Sequence, residues 1–295
     1  MLVPEGIAFW DASQGLAWFV RASRCPHADC SLLAETSDGG RTWLTVFHPS
    51  SVTQVAVSRG TTDAWLVEDN CDYWVVCRPR LLRSSDRGRS WQGVGLGVLA
   101  LTAPTSKVWF GALYDKSDRW SLKRTRDGGR SWSDVRSPCR EQGPWGAPRS
   151  WFTTVVEGWL LCGGQPGAGH QLKAVFRTHD GGRSWRMVMS TGWRPGGASS
   201  PGAIPDAGYA SGIAAAGGRA WIWQDRFRSY TSVDGGHRWA PIGFTNANGV
   251  EIEDLAPISR NVAFALVHLT WRRRELRRTD DGGRTWRVIH VWRYG

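Results

Sequence analysis

The segment Thr125-Arg126-Asp127-Gly128-Gly129-Arg130-Ser131-Trp132 decides the fold, because five similar segments occur elsewhere in the chain. Every copy keeps an Asp, a Gly two residues after it and a Trp five residues after it. The copies contain Asp38, Asp86, Asp127, Asp180, Asp234 and Asp281, followed by Trp43, Trp91, Trp132, Trp185, Trp239 and Trp286. Successive Asp residues are 41 to 54 positions apart, and one blade of a β-propeller needs about 40 to 50 residues. The spacing therefore predicts six blades.

The residue types of this segment are typical of a tight turn. A Gly after Asp supplies positive φ, and the Asp carboxylate accepts hydrogen bonds from nearby backbone N–H groups. The Ser or Thr two residues before the Asp adds a hydroxyl, and the Trp covers the turn with a large apolar face. We therefore interpret each copy as a self-capped hairpin and its Asp as structural rather than catalytic.

Runs of apolar residues, often containing Trp, precede each turn and are typical of strands. These runs are 17–20, 64–67, 108–110, 158–161, 220–223 and 263–266, and segments such as 7–10, 52–57, 151–155 and 250–253 predict innermost strands. Each unit thus reads as four strands. A four-stranded sheet cannot bury both faces alone, so the units must pack face to face in a ring.

The predicted fold is all-β: one domain over residues 1–295, a six-bladed β-propeller of four-stranded antiparallel blades. The predicted blades are roughly 5–48, 50–95, 97–137, 150–190, 208–243 and 250–292. The first unit begins with its innermost strand and the last ends with its outermost strand. We therefore expect packing, rather than a shared strand, to close the ring.

With its six turns, the chain resembles the Asp-box family, also called bacterial neuraminidase repeats, whose motif is Ser/Thr-x-Asp-x-Gly-x-Ser/Thr-Trp. The six copies depart from the common pattern at two positions. Arg87 replaces the optional Gly after the Asp of its copy, and Arg238 replaces the Ser or Thr before the Trp of its copy. The family includes sialidases, sortilin-type receptors, some glucanases and photosystem II assembly-factor-like propellers. The resemblance implies that the turns lie opposite the usual ligand face. The regular turns are most similar to the assembly-factor-like members, which implies a scaffold that binds a partner without catalysing a reaction.

Charge indicates the chemistry of that partner. The net charge is +11, and nearly all cations are Arg, with Lys only at positions 107, 116, 123 and 173. Arg prefers planar anions such as carboxylate, phosphate or sulfate. We expect a protein or an anionic carbohydrate as partner; nucleic acid is a poorer fit because no recognised module is present. The alternative is a basic surface that only faces water, and the sequence does not indicate an oligomeric state.

Loops between blades, and between the second and third strands, should form the working face because loops on rigid scaffolds carry function. The candidate binding residues are Arg119, Trp120, Arg140, Trp145, Arg149, Trp193, Arg194, Arg226, Arg228, Arg272, Arg273 and Arg274. Their mixture of Arg and Trp is typical of interface anchors. For the run from Trp271 to Arg278, an exposed hairpin without a binding role is an equally good interpretation.

The rival hypothesis is a glycoside hydrolase of sialidase-like type. The family's site combines three Arg, a Tyr nucleophile paired with Glu, and an acidic Asp, but the Phe-Arg-Ile-Pro segment of sialidases is missing. Tyr209 is the candidate nucleophile, with Glu251 or Glu253 as its partner. A different hydrolase could use two carboxylates. The carboxylate candidates for it are Asp115, Asp225, Glu253 and Asp254.

Six Cys residues form three plausible disulfides, which are Cys25 with Cys30, Cys71 with Cys77 and Cys139 with Cys162. An even count at related positions favours an oxidising compartment, so we expect an extracellular or cell-envelope protein. Six reduced, buried thiols are the alternative.

His27 lies within the first pair, but no second cluster completes a zinc site. We expect no metal and no cofactor, and no apolar run is long enough to span a membrane.

Overall fold

The computed structural model describes residues 2–21, 31–68, 80–96, 98–114, 120–139, 148–192, 199–245 and 249–293. Twenty-four strands form six sheets of four strands, and each sheet uses four consecutive strands. Neighbouring strands pair antiparallel. The prediction of a six-bladed β-propeller with four-stranded antiparallel blades is confirmed. Within the described residues, no helix is long and apolar enough to cross a membrane.

The blades follow one another along the chain, and in each the first strand is innermost. Blade 1 contains β1 (Leu2–Phe9), β2 (Gly15–Arg21), β3 (Ser31–Thr36) and β4 (Leu44–Phe47); blade 2 contains β5 (Gln54–Val57), β6 (Ala64–Glu68), β7 (Arg80–Ser84) and β8 (Gln92–Leu96). Blade 3 contains β9 (Leu99–Thr102), β10 (Trp109–Tyr114), β11 (Trp120–Thr125) and β12 (Ser133–Val135); blade 4 contains β13 (Arg149–Phe152), β14 (Gly158–Gly163), β15 (Lys173–Thr178) and β16 (Arg186–Ser190). Blade 5 contains β17 (Tyr209–Ala216), β18 (Arg219–Asp225), β19 (Tyr230–Ser232) and β20 (Ala240–Pro241); blade 6 contains β21 (Glu251–Pro257), β22 (Ala263–Thr270), β23 (Arg273–Thr279) and β24 (Arg287–Arg293).

The second strand of each blade carries much of the core. Every residue of β6 and β14 is buried, because both faces of these strands pack against neighbouring blades. The outermost strands β4 and β20 have no buried residue. Burial is therefore greatest in the second strands, which lie between the neighbouring blades, and least in outermost strands such as β4 and β20.

The repeated turns, called the Asp turns below, share a set of hydrogen bonds, for example around Asp86. Ser84 Oγ donates to Asp86 Oδ1 at 2.7 Å and accepts from the Gly88 N–H at 2.8 Å, while Ser90 Oγ donates to Asp86 Oδ2 at 2.6 Å. The bonds from Ser90 hold the pKa of Asp86 at about 2. Arg87 has a φ of 62°, a left-handed conformation that costs a side chain about 1 to 2 kcal/mol. This explains why Gly stands there in the other five turns.

Hydrogen bonds join the inner part of every blade to the next blade. The donor and acceptor pairs are Trp10 Nε1 to Asp63 O, Gln54 Nε2 to Leu101 O, Ser150 Oγ to Ala100 O, Trp151 Nε1 to Ala215 O, Trp223 Nε1 to Glu253 O, and Ile7 N to Asp254 Oδ2. The last bond, 2.9 Å long, joins blade 6 to blade 1. The rings of Phe9 and Phe264 also stack there, at 3.9 Å between centroids. Packing and hydrogen bonds thus close the ring, because within the described residues 2–293 no sheet contains strands from both ends of the chain.

A disulfide and a buried lysine hold two long connections against blade 4. Cys139 and Cys162 are bonded, with their Cα atoms 5.5 Å apart. The predicted pairs Cys25 with Cys30 and Cys71 with Cys77 lie outside the described residues. Lys173 is fully buried and donates through Nζ to the carbonyls of Gln171, Asp206 and Ala207, at 2.9 to 3.1 Å. Its burial lowers the pKa of Lys173 to about 8.

The buried tryptophans are mainly those of the second strands rather than those of the Asp turns. Trp109 is fully buried and lies 5.0 Å from Trp65 between ring centroids, whereas Trp132 is only half-buried. We expect Trp109→Ala to lower the free energy of unfolding by about 3 to 5 kcal/mol. Trp132→Ala should cost about half as much, because it removes less buried apolar area. Urea unfolding of both variants measures this difference, and an equal or larger loss for Trp132→Ala would contradict it.

Candidate functional site: the loop face and the central channel

The two ends of the propeller carry different loops and turns. The Asp turns lie beside the turns that join the first and second strands, as the bonds from Gly39 N to Ser13 O and from Gly128 N to Lys107 O demonstrate. We call this end the turn face. The opposite end of the strands carries two kinds of loop: the connections between blades, and the loops between second and third strands. We call this end the loop face. The innermost strands begin at the loop face and end at the turn face.

The six innermost strands surround a central channel with a cavity of about 490 Å³. Its wall combines apolar residues such as Val55, Ala100 and Trp151 with uncharged polar ones such as Thr53 and Ser150. Charged residues line it at five positions, which are Glu5, Arg59, Arg149, Glu253 and Asp254. The channel therefore mixes apolar, polar and ionisable groups, and small-molecule sites likewise place polar groups among apolar ones.

β-Bulges place several of the polar residues in this wall. The pairing registers of β1, β17 and β21 each skip one residue, which is Glu5, Ser211 and Glu253 respectively. A bulge leaves the extra residue outside the ladder and re-aims its side chain, and bulges are common next to functional sites. All three skipped residues line the channel. Equivalent irregularities in three innermost strands thus direct polar groups toward the axis.

The acidic side of the channel lies on blades 6 and 1. Glu253 accepts a 2.7 Å hydrogen bond from Arg274 Nε, and His268 Nδ1 is 3.7 Å from its other oxygen. Burial raises the pKa of Glu253 to about 7; Arg274 lowers it and the nearby Glu5 raises it further. Partial desolvation in the channel also raises the pKa of Glu5, against the opposing effect of Arg274. This wall therefore carries two carboxylates, with Arg274 as their shared cationic neighbour.

Asp254 has a structural role that its sequence position does not reveal. Its two carboxylate oxygens accept hydrogen bonds from the backbone N–H groups of Ile7 and Leu255, each at 2.9 Å. Burial raises the pKa of Asp254 to about 6, although both bonds lower it. Because both oxygens are bonded to backbone donors, this carboxylate joins blades 6 and 1 and is poorly placed to act as a catalyst.

The basic side of the channel is Arg149, the first residue of β13 on blade 4. Its Nε donates to the carbonyl of Ser211 at 3.0 Å. Among the described residues no carboxylate forms a salt bridge with it, and burial lowers the pKa of Arg149. Arg59, which donates to Ile258 O at 2.7 Å at the turn end of the cavity, is desolvated in the same way. The channel thus contains cations that nearby acids do not neutralise.

The candidate binding residues of the loop face divide into two groups. Arg273 pairs with Glu275, and the buried Arg274 pairs with Glu253, so these two cations serve internal ion pairs. Arg226, Arg228 and Arg272 are exposed, and no salt bridge is found for them among the described residues. Trp120 is half-buried at the start of β11. Arg119, Arg140, Trp145, Trp193 and Arg194 lie outside the described residues.

An exposed aromatic residue accompanies the free cations. Trp271, in the two-residue turn between β22 and β23, is 71% exposed, and the Arg272 guanidinium lies 4.0 Å from the centroid of its ring. On the neighbouring blade, the backbone N–H of Arg226 donates to Glu251 Oε1 at 2.8 Å, which ties the β18–β19 loop to blade 6. We call Arg226, Arg228, Trp271 and Arg272 the loop-face patch.

The candidate hydrolase residues are only partly brought together. Tyr209 Oη accepts a 3.1 Å hydrogen bond from the Gly169 N–H, and Tyr209 is not among the residues that line the cavity. Asp225 and Glu251 interact at the loop face, where partial burial and then Asp225 raise the pKa of Glu251. Only Glu253 and Asp254 of the predicted carboxylates reach the channel, and Asp115 lies outside the described residues. Within the described residues, no group of three or more His, Cys, Asp or Glu side chains is arranged to hold a metal ion.

Solved structures share the propeller fold at low sequence identity. YCF48 bound to a D1 peptide has 17% identity and a TM-score of 0.53, covering 97% of this chain and 82% of that one. An α-L-arabinofuranosidase from Fusarium graminearum has 13% identity and a TM-score of 0.57, and the match covers 90% of this chain and 87% of that one. The β-propeller domain of the trilobed protease from Pyrococcus furiosus, which has an open velcro topology, has 7% identity and a TM-score of 0.59, covering 100% and 99%. No family model and no curated protein matches the chain. These similarities establish the fold, which binding proteins and glycoside hydrolases both use.

The raised pKa of Glu253 predicts a pH-dependent stability. The usual pKa of a Glu side chain is 4.5, and the pKa of Glu253 in the folded protein is about 7. The protonated Glu253 therefore stabilises the fold fully below pH 4.5, and this contribution is lost as the pH rises through about 7. Glu253→Gln does not titrate and should reduce the loss of unfolding free energy between pH 5 and pH 8 by about 1 to 3 kcal/mol. Urea unfolding at both pH values measures the slope. An unchanged slope would contradict the assignment, and Glu35→Gln, at an exposed salt bridge with Arg89, is the control.

Proposed function

We propose that this protein is a non-enzymatic binding scaffold that recognises a protein partner through its loop-face patch. The observation that carries this proposal is the exposed Trp271 with the Arg272 guanidinium over its ring. On the neighbouring blade, Arg226 and Arg228 are also exposed and have no salt bridge within the described residues. Trp and Arg are the residues most often found at the energetic centre of protein interfaces. An exposed aromatic side chain gains most when a partner covers it, because its apolar area then leaves water.

The charge of the patch selects the partner. Three exposed guanidinium groups without a salt bridge in the described residues favour a segment that presents carboxylates, since bidentate Arg–carboxylate bonds are strong and directional. An acidic peptide segment fits both the charge and the aromatic anchor. The structure of YCF48 with a bound peptide supports a protein partner, as a case of a similar propeller that binds one. An anionic glycan is the alternative ligand for the same chemistry.

Two further assignments belong to this proposal. The hydrogen bonds of the Asp turns support membership of the Asp-box propellers, because the conserved Asp and hydroxyl residues bond each other as a turn-stabilising motif requires. The Cys139–Cys162 disulfide supports an oxidising location, the cell envelope or the exterior.

A glycoside hydrolase is a second candidate, favoured by one observation. Glu5 and Glu253 both line the channel, and the pKa of Glu253, raised by burial to about 7, is in the range of a general acid. Turnover of a fluorogenic sialoside or of a glucan by the wild type, abolished in Glu5→Gln, would favour this candidate. No turnover of these substrates would leave binding as the better hypothesis.

We expect Trp271→Ala and Arg272→Gln each to weaken partner binding by about tenfold or more, as interface anchors do. The measurement is quantitative capture from the native cell extract, followed by the affinity of each variant for the purified partner. Arg130→Gln is the matched control, because Arg130 is an exposed arginine of an Asp turn on the turn face. Equal loss in Arg130→Gln, or no loss in the two patch variants, would contradict the proposed face. Binding to an array of sulfated or sialylated glycans, but not to acidic peptides, would assign the patch to carbohydrate.

The proposed location predicts that Cys139 and Cys162 are oxidised in protein isolated from its native cell. Alkylation before reduction should leave both residues unmodified, and alkylation after reduction should label both. Peptide mass spectrometry reads the two sites separately. Full labelling before reduction, in protein isolated under acid quench, would contradict an oxidising compartment.

A further inference from the structure

We propose that the central channel is a second binding site, which takes a small dipolar aliphatic molecule with its carboxylate on Arg149 and its ammonium group on Glu5. This site is distinct from the loop-face patch, since neither Trp271 nor the arginines of that patch line the channel. The inference rests on the positions of the two charges, on the lack of a salt bridge to either one within the described residues and on the apolar residues in the wall between them.

The two charges face each other across the channel. The innermost strands contact each other in the order β1, β5, β9, β13, β17, β21 and back to β1. Blades 1 and 4 are therefore opposite in the ring, and these blades carry Glu5 and Arg149. The two residues also lie at a similar depth: Arg149 bonds the carbonyl of Ser211, and Ser211 is the skipped bulge residue of β17 as Glu5 is of β1.

Neither charge is neutralised within the described part of the chain. Arg149 has one hydrogen bond, from Nε to Ser211 O, and no salt bridge. Glu5 has no salt bridge either, because Arg274 bonds the neighbouring Glu253. A desolvated cation without a counter-ion is unfavourable, and a ligand carboxylate would offset this cost at Arg149. The exposed Glu5 carboxylate is open to a ligand ammonium group, because Arg274 is hydrogen-bonded to Glu253 and not to Glu5.

The space between the charges suits a hydrocarbon linker. Val55, Ala100 and Trp151 lie in the wall of the channel, and none of them offers a charge. The Trp151 indole N–H is already bonded to Ala215 O, so the ring presents its apolar surface. An aliphatic chain would bury its methylene groups there, which is favourable by burial of apolar area. A ligand with its charges at the two ends of a short chain matches this arrangement better than one with adjacent charges.

The test uses ω-amino acids and their single-charge analogues as probes. Calorimetry or ligand-observed NMR with the wild type should find that 6-aminohexanoate binds at least about tenfold more tightly than hexanoate or hexylamine, because each analogue loses one charge-assisted bond. A series from 4-aminobutanoate to 8-aminooctanoate should pass through an optimum length. Equal binding of hexanoate and 6-aminohexanoate would overturn the dipolar assignment, and no binding by any member of the series would overturn the site.

Two conservative variants test which residue binds each end of the ligand. Arg149→Gln should abolish the advantage of 6-aminohexanoate over hexylamine, and Glu5→Gln should abolish its advantage over hexanoate. Arg149→Lys keeps the charge and should restore part of the affinity. Arg130→Gln, at an exposed arginine of an Asp turn on the turn face, is the control and should bind like the wild type. An unchanged thermal midpoint shows that each variant is folded, and unchanged affinity in folded Arg149→Gln and Glu5→Gln would contradict the assigned ends.

Discussion

The propeller depends on hydrogen bonds that cross from one blade to the next near its axis, and β-bulges supply several of their acceptors. The carbonyls of Ala100, Ser211 and Glu253 belong to irregular positions of β9, β17 and β21, where the ladder is interrupted. A bulge leaves the backbone of the extra residue outside the ladder, so its carbonyl is free for another donor. The neighbouring blade supplies that donor, from Ser150, Arg149 and Trp223 respectively.

The same bulges couple stability to the candidate channel site. At Glu253 the carbonyl holds blade 5 against blade 6, while the side chain lines the channel. At Ser211 the carbonyl orients Arg149, the principal cation of the channel. Each of these bulges therefore has two roles: its carbonyl joins neighbouring blades, and it places a polar side chain in or near the channel wall.

The number and type of blades could be predicted from the sequence because the side-chain hydrogen bonds of each Asp turn are local: those of its Ser or Thr and Asp residues lie within a few positions of Asp86 or its equivalents. The channel could not be predicted in the same way. Glu5 and Arg149 are 144 positions apart, and only the ring order places them opposite each other. A bulge has no strong sequence signal either, so the sequence does not identify Glu5 and Ser211 as site residues. Arg59 lies in the turn between β5 and β6, where the sequence gives no sign that it reaches the channel, whereas Arg149 is predicted from its loop position.

The basic composition overstates how much positive charge is available for a partner, because many arginines stabilise the ring. On β23, Arg273 and Arg277 enclose the buried Glu275. Arg124 and Arg278, each three residues before the Asp of its turn, donate to Gly181 O and Ala12 O of the following blade. A guanidinium group suits this position because it reaches a carbonyl across the blade interface while its flat face covers an aromatic ring, as Arg278 does over Phe264. Charge alone is therefore a poor guide to a binding surface, and the proposed surface is defined instead by exposed arginines that have no salt bridge within the described residues.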